Sequence, residues 1–395
     1  MPGALDGVRI LEFSEAIAAP MAGMLLSDMG ADVIKVEPPG GESGRHVVQS
    51  AADSRGFLAL NRNKRDIAID LKSAEGQSVI HRLVPTVDAV ILNYRPETAA
   101  ALKIDYATLE PINHRLIYAD ITAVGRRGPD SRRPGYDLIV QAISGLMAAG
   151  GRMEGDIPLP INPPVTDLTT GIIIAWAVCA ALFARERTGV GQKVETTLLA
   201  SALLLQGAQF LQVTGPPPDP DWSALSYPYY RNYRTADGLV SVAAVTPIMR
   251  RRFEEAVGVV HPLHSQRQIP RNSPEAAAMT RQFLEELTHA MTGRSTGEWL
   301  EAFDQAGVPA GACRVIADLV DDPQVRANDL VVELDHPLVG EITMVGPVVA
   351  MSETPTAARH APPTVGQHNA DILTEVGYSD ADIAQLVESG ILSHG

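Results

Sequence analysis

Two cysteines in 395 residues, Cys179 and Cys313, are too few and too far apart for a disulfide framework or a cysteine-based zinc site. The ten histidines show no HxxxH or HExxH spacing, so no metal centre is expected. There is no P-loop, no G-x-S-x-G elbow and no G-x-G-x-x-G fingerprint, which leaves an NAD-dependent or serine-hydrolase reading without its motif. Positive charge is short: 32 Lys and Arg against 47 Asp and Glu give a net charge of −15. Such a chain is not drawn as a whole to nucleic acid or to an anionic membrane, and a polyanionic ligand must meet local basic clusters. Long apolar runs are scarce too. The one membrane candidate, residues 168–184, falls short of the roughly 20 residues a span needs, and a buried core helix is expected there. "MPGALDGVRILEF" has no basic segment leading into an apolar one, so no signal peptide is expected. With so few cysteines, a cytoplasmic protein is expected.

What is present is an ordinary globular composition, 45% hydrophobic and 20% charged, in a chain long enough for two domains. Strand-like runs, "VRILEF" (8–13), "DVIKVE" (32–37), "DIAIDL" (66–71), "DAVILN" (88–93) and "LIYADIT" (116–122), alternate with helical segments such as "APMAGMLLSDMGA". That alternation predicts βαβ units and a mostly parallel sheet covered by helices. Ligands of such sheets bind beyond the carboxyl ends of the strands, here near Glu37, Asn93 and the loop after Thr122. Helices are predicted over 136–148 and 168–186. A turn is predicted over 187–194, and another helix from there to about Val213. Prolines and aromatics break all periodicity over 214–234, the signature of a linker. A smaller domain is predicted over 235–325, and 326–395 is predicted to return to the large domain of 1–213.

Asp167, in "INPPVTDLTTG" (161–171), stands at the mouth of the apolar helix. It can cap that helix, or it can react. The helix N–H groups are expected to lower its pKa and keep it ionised. Tyr136 and Asp137 open a helix about thirty residues earlier; Asp137 can cap it, and Tyr136 can donate to a ligand or simply pack. Basic residues cluster at 62–65, 126–127, 132–133 and 250–252, where they can hold a phosphorylated cofactor or form solvated surface.

The segments "LDGVRILEF", "LLSDMGADVIKVEPPGGESGR", "NRNKRDIAIDLK", "NYRPETAAALKIDYATL", "GYDLIVQAISGL", "PPVTDLTTG" and "RTGVGQKVETTLLAS" together resemble the class III CoA-transferase family. "GVPAG", "DPQV" and "VGQHNADILTEVGY" extend the resemblance to the C-terminal region. It implies a Rossmann-like large domain formed by both chain ends, a smaller central α/β domain and an interlocked homodimer. It also implies that Asp167 attacks an acyl-CoA thioester, giving a mixed anhydride and then an enzyme–CoA thioester, with no tightly bound cofactor. The substrates implied are an acyl-CoA and a carboxylic acid, dicarboxylic acids included.

The family's CoA-contacting positions fall at Ala18, Ile69, Asp70, Leu71, Lys72, Asn93, Tyr94, Arg95 and Tyr136, and Arg45 after the glycine turn is the expected phosphate partner. Candidates for a second substrate carboxylate are Arg231, Arg234 and the run Arg250–Arg252. The family loop Thr-Gly-Phe-Gly is "TAVG" here (122–125), and Ile17 stands where formyl-CoA transferases have glutamine. The first departure changes a loop near the acyl pocket; the second, with Pro38 where formyl-CoA transferases have a basic residue and no tetraglycine loop after the linker, speaks for a larger or less polar acyl group than formyl or oxalyl. The rival readings are an α-methylacyl-CoA racemase, whose catalytic histidine position is Tyr136 here, and a CoA-binding relative without catalysis. Tyrosine, with an ordinary pKa near 10, is a poor substitute for that base.

Overall fold

The apolar runs along the first half become strands because β-branched and aliphatic side chains fill both faces of a covered sheet. In the computed structural model, which describes residues 1–46, 53–212, 214–215, 227–266, 268–270 and 273–394, the chain divides into two compact units. One comprises Met1–Leu211 with Pro323–Gly395, the other Gln212–Asp322.

The first unit is built on β1 (Arg9–Phe13), β2 (Asp32–Glu37), β3 (Arg65–Ala68), β4 (Ala89–Leu92) and β5 (Ile117–Thr122). A short β6/β7 hairpin (Met153–Glu154, Ile157–Pro158) precedes β8 (Gln192–Thr197). β1–β5 and β8 form one sheet in the order β3-β2-β1-β4-β5-β8, all neighbours parallel. This is the order of a doubly wound nucleotide-binding sheet, whose switch point lies between β1 and β4. The turn predicted over 187–194 is corrected in its second half. Gly189, at φ 75°, ends the preceding helix, and β8 starts at Gln192. "QKVETT" is a half-exposed edge strand, so it lacks the apolar run that marks the others. β3 is shorter than predicted because Ile69 and Asp70 turn to meet the C-terminal segment: Asp70 N–H donates to Ile391 O at 2.8 Å, and Ser393 N–H to Ala68 O at 3.0 Å.

One face of the sheet is covered by α1 (Ala18–Asp28), which is followed in sequence by α2 (Arg55–Leu60). The opposite face receives α3 (Ala74–Leu83), α4 (Pro96–Ala101) and α5 (Tyr106–Leu109). Ser73 caps α3 by accepting from Gly76 N–H at 2.9 Å, and Val79, Ile80 and Leu83 bury its inner stripe. Beside α1 lie α6 (Asp137–Ile143), α7 (Leu146–Ala149), α8 (Val165–Thr188) and α9 (Leu198–Leu205), with α10 (Gly207–Phe210) after them. The single helix predicted over 136–148 is two, because Gly145 at φ 82° interrupts it. Gly171 lets α1 and α8 touch: a Cβ there would lie 2.7 Å from Ala18 O and 2.6 Å from Met21 Cβ.

The core helix expected at 168–184 is packed into the core on one face only. α8 buries Ile174, Val178 and Leu182, while Ile172, Trp176 and Phe183 remain 53%, 71% and 60% exposed. By length and composition α8 alone among the described residues could cross a membrane, yet its inner face is packed on the sheet.

The second unit carries β9 (Tyr230–Arg234), β10 (Leu239–Ala243) and β11 (Ala310–Ala312) in an antiparallel sheet, with α11 (Pro247–Val257), α12 (Pro274–Met291) and α13 (Thr296–Ala306). Phe253, Phe283, Trp299 and Phe303 form its core. Residues 230–234, assigned from sequence to a linker, are therefore a strand; their aromatic–basic alternation places Tyr233 in the core. Residues 216–226 of that predicted linker lie outside the described residues. The chain returns to the first unit through α14 (Pro323–Ala327), a β12/β13 hairpin (Val331–His336, Gly340–Val345), α15 (Asn369–Glu375) and α16 (Asp380–Glu388). Asn369 Oδ1 accepts from Ala68 N–H at 2.9 Å, and Arg65 pairs with Glu375 at 2.7 Å, so the C-terminal segment docks on β3.

Candidate active site

A cavity of about 630 Å³ opens beyond the carboxyl ends of the first unit's strands. It spans the switch point: residues 15–18 after β1 and Asn93–Arg95 after β4 both line it. Asn93 clasps the two loops together, donating through Nδ2 to Glu15 O at 2.7 Å and accepting from Glu15 N–H at 3.1 Å. Ala16 between them takes a left-handed φ of 65°, a conformation L side chains rarely adopt, and one that turns this loop into the start of α1.

Ala18, Ile69, Asp70, Leu71, Lys72, Asn93, Tyr94, Arg95, Tyr136 and Asp167, all named from sequence, line this one cavity. The chain brings them from five separate segments. Its lining is charged in part and apolar in part. Lys72 comes after β3, Glu37 ends β2, Glu15 follows β1, Arg95 and Glu97 follow β4, and Arg132 and Arg133 come from the loop after β5, where Arg132 reaches Glu97 at 3.9 Å. Toward β5 and β8 stand Ala123, Val124 and Leu198, whose backbones are joined by Leu199 N–H donating to Ala123 O at 2.9 Å. Arg132 and Arg133 were visible in sequence only as one basic pair among several; the loop after β5 selects them.

Arg45 is not at this site. Its guanidinium is fully buried, pairs with both Glu37 oxygens at 2.8 and 2.9 Å, reaches Asp53 at 2.9 Å and stacks on Phe57 at 3.7 Å. The carboxylates beside it hold its pKa above the ordinary value, against the effect of burial. The 62–65 cluster is likewise structural: Arg62 is bound by Asp28, Lys64 by Glu12 and Arg65 by Asp32. Arg231 lines a separate opening of about 440 Å³ in the second unit, with Tyr230, Asn232, Ser241 and Gly311. Arg250 lies over Tyr227 and Tyr229 in the same unit.

Asp167 occupies the first turn of α8, but it does not cap it. The N-cap is Pro164, which has no side-chain acceptor, and Asp167 is partly buried with no hydrogen-bond partner among the described residues. The capping is done from another helix. Asp137 Oδ1 accepts both Thr166 N–H, at 2.8 Å, and Thr166 Oγ1–H, at 2.5 Å. Asp137 therefore does not cap its own helix, as the sequence suggested it could. The expected lowering of the Asp167 pKa is overturned as well. Burial first, and the Asp137 charge second, push it up to about 7. A carboxylate with that pKa is a stronger nucleophile than an ordinary one, and it is still half ionised near neutrality.

Tyr136 is 72% exposed and lines the same cavity as Asp167. Among the described residues no group of histidine, cysteine and carboxylate side chains could hold a metal ion.

The CoA-transferase family III model matches residues 5–369. The chain is 33% identical to succinyl-CoA:glutarate CoA-transferase of Homo sapiens, covering 98% of this chain and 90% of that protein. It is 35% identical to succinate–glutarate CoA-transferase of Agrobacterium fabrum, covering 94% and 95%. A crystal structure of a CAIB/BAIF family protein from Brucella suis superposes with a TM-score of 0.80 at 27% identity, covering 95% of this chain and all of that one.

Proposed function

The chain belongs to CoA-transferase family III and is an enzyme that moves CoA between an acyl-CoA and an acid, and we propose that it does so through Asp167 as nucleophile. One observation carries the assignment: a carboxylate with no hydrogen-bond partner among the described residues, its pKa raised to about 7, lines the cavity beside Ala18, Ala123, Val124 and Leu198. Its oxygen attacks the thioester carbonyl, and CoA leaves as thiolate. The thiolate then attacks the aspartyl carbonyl of the mixed anhydride, releasing the donor acid and leaving an aspartyl–CoA thioester. The acceptor carboxylate reverses the two steps and restores Asp167. Splitting the exchange in this way conserves the thioester energy, because the donor acid leaves only as the aspartyl–CoA thioester forms, and the apolar walls formed by Ala123, Val124 and Leu198 limit access of water to the anhydride.

In this reading the CoA nucleotide lies toward Lys72, Arg95, Arg132 and Arg133, where phosphates find cations, and the thioester lies toward Asp167. The relatives' names point to succinyl-CoA as the donor to test first and to dicarboxylic acids as acceptors. The unit made from both chain ends supplies the CoA site, and the central unit is a separate domain. An interlocked homodimer is supported by the apolar surface of α8–α10, where Ile172, Trp176, Phe183, Phe210 and Leu211 stay exposed in a single chain. Two free thiols, Cys179 and Cys313, accord with a cytoplasmic enzyme.

The test is intact-protein mass spectrometry after mixing with succinyl-CoA or acetyl-CoA, followed by peptide mapping. A CoA adduct on the peptide holding Asp167, absent in Asp167→Ala, is expected. Solvent-deuterium exchange at the acyl α-carbon without an adduct would instead favour a racemase.

A further inference from the structure

The nucleophile's helix starts badly by its own means. "NPPV" leads into it, so the residues before its first turn supply neither a capping side chain nor, at the two prolines, an N–H. The first-turn N–H groups of a helix have no partners within it, and leaving one buried and unsatisfied is costly. Asp137 meets this need from 29 residues away: Oδ1 takes Thr166 N–H and Oγ1–H, and Oδ2 takes Gln141 Nε2–H at 2.6 Å. Gln141 in turn pins the segment entering the helix, donating to Ile161 O at 2.9 Å and accepting from Ile161 N–H at 2.8 Å. Thr166 is held on its other side as well, its carbonyl accepting from Thr170 Oγ1–H at 2.6 Å. The residue before Asp167 is thus fixed at its N–H, its carbonyl and its hydroxyl. The Asp167 carboxylate itself has no hydrogen-bond partner among the described residues.

We propose that Asp137 is a positioning residue for CoA transfer: by capping the helix of Asp167 from a second helix, it sets the direction of the attacking carboxylate and faces it with a like charge. This rests on Asp167 being the nucleophile. The cavity wall that Asp167 joins includes Ala18 from α1, Leu198 from α9 and Ala123 from the loop after β5, none of which titrates, and Tyr136 from the start of α6; Glu15, Lys72, Arg95, Arg132 and Arg133 line the same cavity, but the charge acting on Asp167 is that of Asp137. Asp137 is therefore the charged group that sets Asp167's ionisation beyond burial itself. A cap alone needs no charge, since Asn or Ser would serve. A buried carboxylate in that place does two jobs at once, orienting the nucleophile and making it more basic.

The experiment compares wild type, Asp137→Asn and Asp137→Glu by single-turnover formation of the CoA adduct on Asp167, across pH, with succinyl-CoA or acetyl-CoA as donor. For Asp137→Asn the expected results are an alkaline plateau about tenfold lower, a KM for the acyl-CoA within about threefold of wild type, and an acid limb displaced to lower pH. Asp137→Glu restores part of the plateau and returns the limb toward the wild-type pH. A destabilised but otherwise intact site would lower the plateau without moving the limb, so an unmoved limb overturns the proposal, as does an unchanged plateau. Should Asp137→Asn fail to fold, Thr166→Val removes one donor to Asp137 while keeping the N–H. A plateau lowered with KM unchanged is expected for it, and a wild-type plateau overturns the proposal. A wild-type enzyme that binds CoA but carries no adduct on Asp167 overturns the nucleophile assignment itself, whatever the variants do.

Discussion

Arg45 and Glu37 form a fully buried two-pronged ion pair, with Nε and Nη2 of the arginine 2.8 and 2.9 Å from the two carboxylate oxygens. Asp53 and Asp66 surround the same guanidinium, at 2.9 and 3.7 Å. Removing one member of such a network leaves uncompensated buried charge. Arg45→Ala is expected to cost about 3–5 kcal/mol of stability, measured by urea denaturation. Its effect on KM for acyl-CoA in the folded fraction should be minor; a large KM increase at unchanged stability would return Arg45 to the phosphate site.

Asp167 must be ionised to attack, and its pKa lies at about 7. The acid limb of kcat/KM is therefore expected near that pH, with activity rising as pH rises through it. A limb near the ordinary carboxylate range would mean that the bound substrate or a neighbouring group reverses the effect of burial.

The same shift has a stability consequence. The Asp167 pKa is raised from an ordinary 3.8 to about 7 in the folded state. Between these values the folded chain holds more protons than the unfolded one, so stability falls as pH rises through that window and stays lower above it. Asp167→Asn removes the penalty. Its Tm is expected to exceed that of wild type at about pH 8 and to approach it at about pH 4. Equal displacement at both would show that the effect is not ionisation.

Gly171 separates α8 from α1 by less than a side chain's width. Gly171→Val forces Met21 and the Ala18 carbonyl to move, at about 1–3 kcal/mol, seen in thermal unfolding. Because Ala18 lines the cavity, KM for acyl-CoA should rise with the loss of stability.

Trp176 and Phe183 lie on the uncovered side of α8, 71% and 60% exposed. In an interlocked dimer, Trp176→Arg should weaken self-association by about thirtyfold or more, as expected for loss of a buried aromatic anchor. Sedimentation velocity over a concentration series reads this directly; an unchanged sedimentation profile would place the dimer surface elsewhere.

Much of the architecture was legible in the order of residues. "VRILEF", "DVIKVE" and "LIYADIT" became strands because a two-sided core accepts continuous apolar runs, and their alternation with helices admits only a parallel sheet. The edge strand Gln192–Thr197 escaped notice because one half-exposed strand carries polar residues with no distinctive period. Asp167, Asn93–Arg95 and Ile69–Lys72 were identifiable through the motifs around them. Which basic residues face the cavity was not, since "NRNKR" and "SRR" look alike as strings. Arg62, Lys64 and Arg65 are consumed by Asp28, Glu12 and Asp32, whereas Arg132 and Arg133 stand at the cavity wall.

The local sequence determines that a carboxylate sits in the first turn of an apolar helix. Only the tertiary structure decides what that carboxylate is. Burial and the Asp137 charge come from the packing of α6 against α8, and together they outweigh the helix N-terminus that by itself would have made Asp167 an ordinary ionised cap. Desolvation and charge–charge interaction depend on distances in space, and a sequence separation of 29 residues does not disclose them.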